Sequence, residues 1–245
     1  MARLVTCGFE AKSASEWGGT EGTAPVFSTT VKNSGTASAR FQNTTASARS
    51  IRFAAYADDE TGKLKNVFIR AYVRLDTAPA AQTAILAWDD TTGIGTASFY
   101  GIKINTNRTL ICTSSTGTTG TASAALTLGT WYRLEMNYNE VAKQATPYLN
   151  GTAWASPISA DLGGGHWARF GIINSTTADI YFDDIAVNDS TGTIDNGLPG
   201  AISTSTGVPA KVWTGSAWAT KPVKVWTGSA WAPKTVRVRT STAWR

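Results

Sequence analysis

From residue 66 to residue 76 the chain alternates strictly: Val67, Ile69, Ala71, Val73 and Leu75 fall on one side, Phe68, Arg70, Tyr72 and Arg74 on the other. A period of two marks a strand with one face on a core, because successive Cβ atoms leave a pleated backbone on opposite sides. Residues 131–139 repeat the pattern, with Leu134, Met136 and Tyr138 opposing Arg133, Glu135 and Asn137. Further strands are expected at residues 5–10, 26–31, 39–42, 50–57, 84–88, 99–105, 109–113, 143–149, 168–174 and 179–187, separated by Gly, Thr and Ser turns. Asn150-Gly151 after Tyr148-Leu149 predicts a two-residue hairpin, since both positions favour positive φ. No amphipathic helix longer than two turns stands out. The succession predicts an all-β fold, a jelly-roll sandwich of two antiparallel sheets over residues 1–188.

The pattern stops at Asp189. Residues 189–208 are Gly, Pro, Ser and Thr with few apolar anchors, which is linker chemistry. Residues 209–245 then carry one string three times: Lys211-Val-Trp-Thr-Gly-Ser-Ala-Trp-Ala219, its copy from Lys224 to Ala232, and a decayed copy from Arg237 to Arg245. Half of the ten Trp lie here, and so short a repeat cannot bury a core alone. Gly215-Ser216 suits the centre of a tight hairpin turn, which would set Trp213 across from Trp218, Trp226 across from Trp231, and Arg239 across from Trp244. A C-terminal extension of short Trp-rich β-hairpins is therefore expected, with Lys211 and Lys224 beside the Trp pairs as docking or binding residues.

Charge separates this extension from the rest. The whole chain is +5, while residues 209–245 hold seven Lys and Arg and no Asp or Glu, leaving residues 1–208 at −2. A basic aromatic stretch suits nucleic acid or an anionic polymer; lysines that keep exposed strand edges soluble and unpaired are the preferred explanation. No nucleic-acid partner is expected. No run approaches the roughly 20 apolar residues that cross a bilayer, and the start lacks the apolar segment of a signal peptide, so no membrane insertion is expected. Cys7 and Cys112 lie in apolar, strand-like contexts without metal-ligand spacing and read as buried free thiols.

Catalytic chemistry is sparse. His166 is the one histidine, no Gly-x-Ser-x-Gly elbow occurs, and His/Cys metal ligands are too few. Paired carboxylates for glycoside hydrolysis would have to come from Asp58-Asp59-Glu60, Asp89-Asp90 or Asp183-Asp184. Neighbours on a strand point to opposite faces, so Asp183 and Asp184 cannot act together unless a bulge intervenes. Asp58, Asp59, Asp89 and Asp90 read as turn acids at hairpin ends, with Ca²⁺ binding as their functional alternative; no other cofactor is expected. Trp88, Tyr100, Trp154, Trp167 and Tyr148, near expected loops or strand ends, are candidates for stacking on sugar rings, with core packing as the competing reading. No catalytic residue is assigned, and no enzymatic activity is expected.

Phe99-Tyr-Gly-Ile-Lys-Ile104, Leu128-Gly-Thr-Trp-Tyr-Arg-Leu-Glu135, Tyr148-Leu-Asn-Gly151, Arg169-Phe-Gly-Ile172 and Ile180-Tyr-Phe-Asp-Asp-Ile-Ala-Val-Asn-Asp189 resemble successive strands of the concanavalin A-like, or laminin-G-like, jelly roll. That resemblance covers about residues 1–190 and implies the fold more than the function, because the fold hosts lectins, glucanases and structural modules. The Glu-x-Asp-x-Glu strand of the glucanase branch is missing. Followed by Asn196-Gly-Leu-Pro-Gly200 and the Lys-Val-Trp repeats, the chain resembles minor tail proteins of tailed phages infecting actinobacteria. This implies a non-enzymatic virion component, assembled in the host cytoplasm. Other virion proteins are its expected partners, with homo-oligomers (trimers above all) and contact with a host cell-envelope glycan. Its repeats would serve attachment or oligomerisation. A capsid decoration or head-fibre protein, a cell-wall carbohydrate-binding module and a glycoside hydrolase are the alternatives.

Overall fold

The computed structural model describes residues 3–54, 64–89, 99–114, 117–160 and 165–189, together with the backbone of residues 210–213, 218–221, 224–226 and 231–233. The chain divides into two units, Met1–Pro199 and Gly200–Arg245, and the division falls within residues 189–208.

In the first unit the strands are β1 (Arg3–Cys7), β2 (Gly19–Gly22), β3 (Val26–Ser28), β4 (Ser38–Ala54), β5 (Asn66–Thr77), β6 (Thr83–Asp89) and β7 (Phe99–Ile104). They continue with β8 (Leu110–Ser114), β9 (Trp131–Asn139), β10 (Gln144–Leu149), β11 (Thr152–Ala153), β12 (Ile158–Ser159) and β13 (Trp167–Asp189). All thirteen join one antiparallel sheet, and the one helical element described is a 3-10 turn at Ala14–Glu16. The sheet curls into two layers because β4 and β13 are long enough to serve both. The N-terminal half of β13 lies between β4 and β6, continuing to β7 and β8; its C-terminal half lies beside β5, continuing to β9, β10 and β11. β1 pairs with the end of β13. The all-β jelly-roll sandwich expected from the alternation is the fold observed.

One apolar core fills the space between the layers. Val67, Ile69, Ala71, Val73 and Leu75 of β5 enter it from one side, and Phe53, Leu86, Trp88, Phe170 and Ile102 from the other. Phe170 and Phe182, in the two halves of β13, meet edge to face at 6.0 Å, so one strand supplies both walls. Tyr100 of β7 stacks on Tyr138 of β9 at 5.5 Å and ties the layers together. Gly171 has φ 134°, and a Cβ there would stand 2.4 Å from the Arg49 carbonyl oxygen, so the close approach of β13 to β4 requires glycine.

Several expected elements differ in extent. The strands expected at 39–42 and 50–57 are one, β4, whose middle residues 44–47 are exposed. Likewise 168–174 and 179–187 are both parts of β13. The Ser/Thr-rich stretches between them look like turns in sequence, yet Thr keeps a high strand propensity where one face is wet. The strand expected at 5–10 ends at Cys7, two residues before Phe9 takes a positive φ of 58°. The Asn150-Gly151 hairpin forms as predicted, with φ 51° and 83° and Leu149 paired with Thr152. Cys7 and Cys112 are buried free thiols, and burial pushes Cys112 up to about 12.

In the second unit β14 (Ala210–Trp213) pairs with β15 (Trp218–Lys221), and β16 (Lys224–Trp226) with β17 (Trp231–Pro233). Trp213 stands opposite Trp218 and Trp226 opposite Trp231, the register that a turn at Gly-Ser dictates. Arg239 and Trp244 lie outside the described residues.

Candidate functional site

The alternation of β5 leaves Phe68, Arg70, Tyr72 and Arg74 on the outer face of the first layer, and the register lines them up with their neighbours in four rows. Tyr181, Arg74 and Trp131 form the first; Asp183, Tyr72 and Arg133 the second. Ala186, Arg70, Glu135 and Tyr148 form the third, and Asn188, Phe68, Asn137 and Thr146 the fourth. Directly opposed residues share a face, so aromatic rings and arginines interleave across four strands. Trp131, Tyr72, Arg74 and Arg133 are partly exposed, while Arg70 and Glu135 are wholly buried.

Ion pairs hold the arginines in place. Arg74 donates to both carboxylate oxygens of Asp76, with Nε 2.7 Å from Oδ1. Arg133 Nε lies 3.2 Å from Glu135 Oε1, and its guanidinium lies against Gly151 of the hairpin turn. Arg70 donates through Nε and Nη2 to the Asp184 carbonyl oxygen, both at 3.3 Å. Burial raises the Glu135 carboxyl above its ordinary range against the opposing pull of Arg133 and Arg70. A carboxylate between two guanidiniums in this way fixes their geometry more than it adds stability.

At the edge of the same face a bulge turns both strand acids toward one loop. The register of β13 against β5 slips by one residue between Asp183 and Ala186, and Asp184 has φ 48°. Asp183 Oδ2 accepts the backbone N–H groups of Asn33 and Ser34 at 2.8 and 3.2 Å. Asp184 accepts Asn33 Nδ2 and Ser34 Oγ, each at 2.8 Å. Burial and the Asp184 charge raise the Asp183 carboxyl to about 7, against the loop N–H groups that favour its ionised form. The bulge that sequence alone required before these acids could act together is present, and what they hold is the loop.

Some residues singled out in the sequence sit elsewhere. Trp88 is 0% exposed and Tyr100 is buried against Tyr138, so neither can stack on a sugar: their side of β6 and β7 faces the core. Trp167 is buried on the outer face of the other layer, with the Arg52 guanidinium 4.6 Å over its ring. Trp154 is half-buried and packs on the core margin. Tyr148 belongs to the third row. Asp89 is no exposed turn acid available to Ca²⁺. It is buried with Arg169 Nε 2.5 Å from its Oδ2, and Arg169 Nη1 reaches both oxygens of Glu21 at 2.7 Å. Asp58, Asp59 and Asp90 lie outside the described residues, and Lys211, Lys224 and the paired Trp are described by backbone alone. Among the described residues no cluster of three His, Cys, Asp or Glu could hold a metal, and no helix is long and apolar enough to cross a membrane. Sequence reasoning set out the β5 and β9 alternations without assigning them a role; only the strand register merges them into one surface.

No protein-family model matches the chain, and no curated protein sequence matches it. Solved structures do share its architecture. The cellulose induced protein Cip1 is 16% identical over 76% of this chain and 97% of its own, with a TM-score of 0.58. A carbohydrate esterase of the Shiga toxin-encoding bacteriophage phi24B is 14% identical over 78% and 99%, with a TM-score of 0.54. A Trypanosoma rangeli sialidase aligns at 11% identity and a TM-score of 0.47 over 64% of this chain, which spans about a quarter (26%) of that enzyme's length. At these identities the likeness is one of fold, a β-sandwich of the jelly-roll kind.

Proposed function

We propose that the chain is a non-catalytic structural component of a tailed-phage virion, a minor tail or tail-tip protein whose sandwich contacts a glycan of the host surface. The observation that carries the glycan reading is the outer face where β5 and β9 pair, at its partly exposed end. Trp131 and Tyr72 offer flat rings there, and Arg74 and Arg133 lie beside them, fixed by Asp76 and Glu135. Rings take the C–H face of a sugar while pre-positioned guanidiniums donate to its hydroxyls, so little side-chain freedom is lost on binding. The virion reading is supported by the Lys-Val-Trp repeats after a jelly roll, and by a fold shared with a bacteriophage protein described as a carbohydrate esterase.

The described acids favour binding over hydrolysis. Asp183 and Asp184 are engaged by the loop, and Asp89 and Glu21 by Arg169. Glu135 is held by Arg133, whose Nε lies 3.2 Å from Oε1, and stands two strands and one row from Asp183. A glycan array probed with the full chain and with Tyr72→Ala and Trp131→Ala tests the proposal. Glycans bound by the parent and lost at least tenfold in both variants are expected. Polysaccharide turnover that disappears in Asp183→Asn or Glu135→Gln would replace it with a hydrolase. Labelling of purified phage particles with an antibody to the chain tests the location: signal on tails is expected, and signal on heads would move the protein to the capsid.

A further inference from the structure

The second unit repeats one small ladder twice. Two copies of one thirteen-residue string form two separate two-stranded ladders in the same register. Lys211, Val212 and Trp213 pair with Thr220, Ala219 and Trp218; Lys224, Val225 and Trp226 pair with Pro233, Ala232 and Trp231. The period of two places each Trp pair and the Lys two positions before it on one face of its ladder, with a Val–Ala pair on the other. Two positions along a strand is about 7 Å, close to the span of one sugar residue with its acid group. The whole segment from 209 to 245 carries seven positive charges and no negative one.

We infer that each ladder is one copy of a binding unit for an acidic polysaccharide, in which the Trp213–Trp218 and Trp226–Trp231 pairs receive sugar rings and Lys211 and Lys224 meet their acid groups. Charge selects the occupant. The same segment of a second copy would bring another seven cations and no anion to the contact, so pairing of repeats with repeats is disfavoured. Repetition selects it further. Identical units at a fixed spacing are rewarded by a ligand that itself repeats, because the second contact is made at high effective concentration. The decayed third copy keeps Trp244 and three Arg but loses its first Trp to Arg239, so it retains the charge and half of the aromatic element.

The experiment measures binding of the full chain to polygalacturonate, with dextran as the neutral polymer and poly(dT) as a polyanion with stacking bases. Binding to polygalacturonate at least tenfold tighter than to dextran or poly(dT), weakening with salt, is expected. Trp213→Ala and Trp226→Ala should each weaken it about tenfold, and the double variant to the dextran level. Removing a Trp could simply open its ladder, so Lys211→Gln with Lys224→Gln, which keeps the Trp pairs, supplies a second reading. It should weaken polygalacturonate several-fold and leave dextran unchanged. Unchanged affinity in both sets of variants would overturn the inference, as would preference for poly(dT). Loss in Tyr72→Ala with none in the repeat variants would assign the acidic polymer to the sandwich face instead, separating the fate of this inference from that of the face.

Discussion

Asp183 accepts the backbone N–H of Asn33 at 2.8 Å, joining residues 150 positions apart at the bulge that ends the alternation of β13. Burial and the neighbouring Asp184 raise its carboxyl to about 7, above the ordinary 3.8. The folded state therefore holds a proton that the unfolded state has released across this window. The contribution of this group to stability is greatest below about pH 4, falls as pH rises through 7, and is flat above. Asp183→Asn removes the titration while keeping an oxygen acceptor for the loop. Urea midpoints measured from pH 4 to 8 should decline with pH in the parent and decline less in the variant; parallel profiles would sink the assignment.

Arg169 is the hub of a buried triad with Glu21 and Asp89, and its loss is predicted to be severe. Arg169→Met keeps much of the apolar stem but takes the shared guanidinium from two carboxylates that are each under a tenth exposed, leaving Glu21 the Ser50 hydroxyl at 3.0 Å and Arg52 at 3.9 Å. Breaking a buried pair from one side typically costs about 3–5 kcal/mol, because the remaining charges stay desolvated. A fall of this size in unfolding free energy, with the m-value unchanged, is expected from urea titration. A loss below about 1 kcal/mol would show that water reaches these acids.

Much of the sandwich was legible because its signals are local. The alternation in β5 and β9 and the Asn150-Gly151 turn each depend on a handful of adjacent residues, and each formed as read. Trp88 misled because its strand, β6, is buried along its whole length, so no alternation marks which side of it meets the core. Asp89 misled because its partner Arg169 lies 80 residues away, and only pairing reveals it. The outer-face rows were illegible for the same reason: their residues were visible singly, but cross-strand register belongs to the fold.

Gly171 offers a direct test of the strand that serves both layers. Alanine there would have to accept φ 134° and a Cβ inside contact distance of the Arg49 carbonyl and the Phe41 ring. Strain of this kind is worth about 1–3 kcal/mol, and overpacking adds to it. Gly171→Ala should lower the thermal midpoint by several degrees, and a midpoint equal to the parent's would mean that β13 moves away from β4 at no cost.

The paired Trp of the repeats predict a separable loss. In each ladder a Trp stands directly opposite another, where cross-strand side chains come closest and typically contribute about 0.2–1 kcal/mol. A ladder of two strands has little else to stabilise it. Two indoles that stack across such a pair couple their excited states and give a paired band in the ultraviolet circular dichroism spectrum. Trp218→Ala should remove about half of that band while the main unfolding transition, which belongs to the first unit, keeps its midpoint. Trp218→Ala together with Trp231→Ala should remove most of it. A main transition displaced by several degrees in Trp218→Ala would mean that the ladders support the sandwich, and an unchanged band would mean that the opposed Trp do not stack.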